Sequence, residues 1–104
     1  MIHIKDIRTF KKLKVNSDVR IYKFGWSCTM IHTFYGMLSG FETSLLVFVS
    51  NNEYSVDFLN IQRHEFNDYL FFTGEYDAEV FKKAWQEMIK KQYEKHFDLI
   101  GLPF

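Results

Sequence analysis

A catalytic thiol needs a base within hydrogen-bond reach to generate its thiolate. The 104-residue chain has a single cysteine, Cys28, and His32 is the histidine nearest to it in sequence. In a strand, two residues four apart share a face but lie roughly 13 Å from each other. The surrounding segment is rich in β-formers, so Cys28 is expected to be a buried, inert thiol. His64 and Glu65 are adjacent in a polar stretch and can act as a general acid/base pair if a pocket forms around them; a solvated loop is the simpler expectation. The remaining histidines, His3 and His96, do not bring the four to zinc-ligand spacing, and one cysteine supplies no thiolate cluster. No metal and no cofactor is expected.

The acidic residues form no recognisable catalytic couple. Glu53 and Asp57 are four apart and share a face if their segment is a strand, whereas Asp68, Glu75, Asp77 and Glu79 gather near the last loop. Calcium-loop, phosphate-loop, dinucleotide and nucleophile-elbow motifs are all absent. The chain is therefore expected not to be an enzyme.

Composition bounds what else it can be. Apolar residues make up 47% and charged residues 25%, which excludes a disordered chain. Its length fits one domain, residues 1–104. Aromatic residues reach 19%, and a domain this small cannot hide every ring, so some should be exposed or lie in an interface. Residues 24–41 carry no Asp, Glu, Lys or Arg, but His32, three glycines and several hydroxyl residues make them strand and turn rather than a membrane span. With no visible signal peptide and one cysteine, a cytoplasmic setting is expected.

Net charge is zero but unevenly spread: residues 1–25 carry +5, residues 38–80 carry −7 and residues 81–104 carry +2. The ends can neutralise the middle in the fold, or the asymmetry can orient a charged partner. Lys5, Arg8, Lys11, Lys12 and Lys14 give the N-terminal segment a basic face able to contact phosphates. The overall pI near 6.9 is well short of a nucleic-acid-binding footprint.

The elements that must position these residues follow from periodicity. Ile4, Ile7, Phe10 and Leu13 recur every three residues, which predicts a short amphipathic helix over residues 4–15. Asn16-Ser17-Asp18 reads as a turn, and residues 19–50 favour strands. Residues 45–49 are a continuous apolar run, as expected for a strand covered on both faces. Asn51-Asn52 reads as a hairpin turn. Tyr54, Val56 and Phe58 then alternate with Ser55 and Asp57, predicting a strand whose polar side is wet. Residues 62–68 read as a loop, and residues 69–73 as one more strand or an extension of helix.

Asp77 is a good N-cap for a final helix with Phe81, Ala84, Trp85, Met88, Ile89, Gln92, His96 and Ile100 at helical spacing. Gly101 and Pro103 stop it. At about 30 Å it matches the width of the domain. Its stripe reads as core, so Trp85→Ala is expected to cost about 3–5 kcal/mol.

The expected fold is therefore α+β: a short N-terminal helix, an antiparallel sheet of about four strands, and a long C-terminal amphipathic helix packed across the sheet. The expected function is that of a small protein-binding module, an inhibitor or adaptor, with self-association as a variant. Its candidate surface comprises Trp26, Tyr35, Phe41, Glu53 and Asp57. The alternative is a nucleic-acid-binding accessory protein using the basic N-terminal segment.

Overall fold

The computed structural model describes residues 1–39, 44–51 and 56–100. Six strands form one antiparallel sheet: β1 (Ile2–Ile4), β2 (Asp18–Lys23), β3 (Met30–Ser39), β4 (Ser44–Asn51), β5 (Val56–Gln62) and β6 (Tyr69–Thr73). Their order across the sheet is β1-β6-β2-β3-β4-β5. The last element, α1 (Ala78–Ile100), is the sole α-helix among the described residues.

This corrects the expected N-terminal helix and the count of four strands. Residues 2–4 are an edge strand, and Ile7–Lys11 is a single 3-10 turn. An α-helix has 3.6 residues per turn and alternates steps of three and four along its buried face, so an unbroken step of three does not follow one helical face. Of Ile4, Ile7, Phe10 and Leu13, only Ile7 and Phe10 fall in the 3-10 turn; Ile4 belongs to β1 and Leu13 lies past the turn. Asp6 caps this turn by accepting from the Arg8 amide at 2.9 Å. Residues 63–68, expected as a loop, are a second 3-10 turn (Arg63–Asp68), closed where Glu65 accepts from the Gln62 amide at 3.3 Å. The turn expected at residues 16–18 falls slightly earlier, over residues 14–17, where the Ser17 amide donates to the Lys14 carbonyl at 3.2 Å, and Asp18 already opens β2. Asn16 takes a left-handed φ of 74°, and its amide donates to the Phe34 carbonyl at 2.7 Å. Residues 52–55, with Asn52 of the expected hairpin turn, lie outside the described residues, but β4 and β5 pair as a hairpin would require.

The sheet has two unlike faces. One is covered by the two 3-10 turns and holds the main core: Val19, Ile21, Phe34, Leu46, Phe48, Ile61 and Phe71 from the strands, with Phe10 and Phe66 from the turns. The other face is covered by α1 only at the β1-β6-β2 end, where Tyr22, Leu70 and Phe72 meet Ala84 and Met88. Asp77 caps α1 as expected, accepting from the Glu79 amide at 3.0 Å. The helix thus lies over half the sheet rather than across all of it.

Trp85 is 38% exposed, and its indole N–H donates to the Tyr22 hydroxyl at 3.3 Å. A side chain only partly withdrawn from water forfeits less on truncation. Trp85→Ala is therefore expected to cost roughly 1–2 kcal/mol in a denaturant titration, below the 3–5 of a core tryptophan. His96 and Ile100 lie at the end of α1, where side chains are outside the described set.

His32 sits buried on β3, and its Nδ1 has no hydrogen-bond partner among the described residues. Burial pushes its pKa below the ordinary 6.5, opposed by a backbone interaction with Met30. His3 is also lowered, first by desolvation and then by Lys5. Both histidines bind protons more readily in the unfolded chain, so stability is retained above about pH 6.5 and falls as pH drops through the folded values. Denaturation midpoints measured from above neutrality down to about pH 5 should fall, and His32→Gln should flatten that profile.

Candidate binding surface

Opposed residues of an antiparallel pair share a face, so strand register assigns the residues of the uncovered half. Arg20 opposes both Phe72 and Ile31, which puts Ile31 on the helix side. Thr33 opposes Val49, and Val49 opposes Phe58. Leu38–Leu45, Gly36–Val47 and Val47–Asn60 complete the same face. A bulge between Phe34 and Gly36 adds Tyr35 to it, whose ring meets Phe58 edge-on at 6.2 Å.

The result is an open apolar face across β3, β4 and β5. Tyr35 and Phe58 are each 60% exposed, Leu38 64%, and Ile31 and Val56 each 55%. Leu45, Val47 and Val49 are half-buried between them. Scattered exposed hydrophobics are normal, whereas these lie together on one face of adjacent strands. Among the described residues of β3–β5, none on this side carries a charge; the first met are Asp18 and Arg20 on β2. Arg20 is held there, donating to Thr29 Oγ1 at 2.8 Å and lying 4.8 Å over the Tyr76 ring.

The residues expected to form one surface are dispersed. Tyr35 is central to the open face. Asp57 is exposed but belongs to the opposite side of β5, since its neighbours Val56 and Phe58 take the open side. Trp26 is half-buried at the far margin of β2, packed against both core clusters and edge-on to Tyr69 at 6.3 Å. Phe41 and Glu53 lie outside the described residues.

Sequence reasoning missed Phe58, Val56, Ile31 and Leu38. It assigned the apolar side of β5 to the core, but the core side is Leu59 and Ile61, with Val56 and Phe58 facing out. A one-residue change of register exchanges the two sides of a strand, and β5 is apolar on both. That double apolarity, shared with residues 45–49, is the signal that could have found the face.

The other candidate sites carry less. Cys28 is exposed in the bend before β3, not buried, while His32 is buried on the strand. Cys28 lines an open hollow of about 480 Å³ with Tyr22, Trp26, Tyr76, Phe81 and Trp85, which places aromatic rings but no general base around the thiol. His64 is exposed in the second 3-10 turn, where Glu65 is engaged as its cap. Among the described residues no group of three metal-ligating side chains occurs, and no helix is long and apolar enough to cross a membrane. Lys5, Arg8, Lys11, Lys12 and Lys14 are exposed, but Arg8 is bound to the Asp6 carboxylate at 2.9 Å. No protein-family model, curated protein or solved structure matches the chain.

Proposed function

We propose that the protein is a non-enzymatic binding module, of the inhibitor or adaptor kind, that engages a protein surface through the open face of β3–β5. One observation carries this reading: residues 45–49 are apolar at every position, the pattern of a strand buried on both faces, yet only Leu46 and Phe48 are buried and Leu45, Val47 and Val49 are half-buried. The strand is composed for a cover that the described residues do not complete. A rigid sheet presenting Tyr35 and Phe58 offers contact area with little ordering cost, as binding aromatics do. The exposed, unpaired Cys28 accords with a reducing, cytoplasmic setting.

Co-purification from the source cell tests it. Tagged wild-type protein should retain a stoichiometric protein, whether an untagged copy or another chain, and Tyr35→Arg should release it. Recovery of none, or recovery unaffected by Tyr35→Arg, would count against the reading.

A further inference from the structure

We infer that the occupant of the open face is a second copy of this chain, packed face to face about a two-fold axis. The inference rests on the reading of that face as a binding surface and names its partner.

Charge is the first argument. In a two-fold interface each residue near the axis meets its own counterpart, so any charge there faces a like charge. Like charges in contact are strongly unfavourable. The open face avoids this throughout β3–β5: its described residues are Ile31, Thr33, Tyr35 and Leu38, the Leu45–Val47–Val49 row, and Val56, Phe58, Asn60 and Gln62. The chain as a whole carries 26 charged side chains, so their absence from the described residues of this face is unusual for this surface. Those residues also offer nothing to select a charged partner.

Shape and area are the second. A sheet face is complemented by another sheet, at about 10 Å separation and with strand directions within roughly 30°. The five most exposed hydrophobics of this face present on the order of 500 Å², toward the upper end of the roughly 300–600 Å² that a typical monomer leaves open in its largest patch. The half-buried row on β4 adds to that and brings it toward the roughly 800 Å² that each partner contributes to a standard interface. Opposed copies would also sandwich residues 45–49 between two apolar layers, supplying the cover that their pattern calls for.

Sedimentation equilibrium on the purified full chain decides it. The wild type should sediment at twice its 12.6 kDa, with a melting temperature that rises with protein concentration. Tyr35→Arg and Phe58→Arg alter exposed side chains outside the core, so each should keep the wild-type circular dichroism spectrum. Each should weaken dimerisation at least about 100-fold by placing like charges across the axis. Tyr35 lies on β3, two strands in from the β5 edge. A dimer that survives Tyr35→Arg, as one formed by edge pairing of β5 would, overturns the face-to-face arrangement. A wild type that stays monomeric overturns the inference outright. The broader reading then stands only if a different protein is retained through Tyr35, and falls with it if none is.

Discussion

Replacing Phe10 with alanine is expected to remove about 3–5 kcal/mol of folding stability, seen as a lower denaturant midpoint at unchanged slope. Phe10 is 1% exposed and comes from a five-residue 3-10 turn, not from the sheet. Its ring is nevertheless a hub of the main core. It lies 5.3 Å from Phe71, 5.4 Å from Phe34 and 5.8 Å from Phe48, with Phe66 at 6.4 Å. Three of those contacts are edge-on, the arrangement that aligns a positive ring edge with a negative face. The loss therefore combines transfer, cavity and aromatic terms, and β3, β4 and β6, held in one hydrogen-bonded sheet, cannot all close into the gap. Phe10→Leu, which keeps most of the volume, should lose much less.

Phe72→Ala should match it in size, about 3–5 kcal/mol, but act on the opposite face. Phe72 is fully buried on β6, between β1 and β2, with His3 at 5.0 Å and Phe81 of α1 at 5.8 Å. With Leu70 and Tyr22 it forms the platform on which Ala84 and Met88 rest. Its removal should undock the helix before the sheet unfolds, so the α1 amides should lose hydrogen-exchange protection ahead of β3 and β4. Equal loss in helix and sheet would mean that the two layers form one cooperative unit and the platform is not a separate seam.

The two faces explain how far the sequence could be read. The final helix was legible from Asp77 onward because its cap and its apolar spacing are both local. The strands around residues 19–50 were legible from β-branched and aromatic content. The N-terminal segment was not, since Ile4, Ile7, Phe10 and Leu13 satisfy a loose helical pattern although a strand, a 3-10 turn and the stretch after it supply them, with only Ile7 and Phe10 in the turn itself. Nothing in residues 2–4 announces an edge strand; its partner, β6, is about seventy residues away in sequence. For the candidate surface, Tyr35 was legible as an aromatic in a strand without charge. Phe58 was not, because β5 carries apolar residues on both sides and only the pairing with β4 decides which side meets the core. Trp26 was misjudged for a related reason: a large ring in a loop reads as free, whereas here β2 and β6 fold it against two clusters.

Hydroxyl-radical footprinting at micromolar concentration tests the central claim, that the open face of β3–β5 is covered when the protein is at work. The chain holds its own control, since Tyr93 of α1 is 59% exposed beside Phe24 and Trp85, against 60% for Tyr35 and Phe58. The expected result is slow oxidation of Tyr35 and Phe58 that quickens on dilution, while Tyr93 oxidises at the same fast rate throughout. Oxidation of Tyr35 and Phe58 that does not change with concentration, at a rate as fast as that of Tyr93, would contradict it, and would leave the face bare.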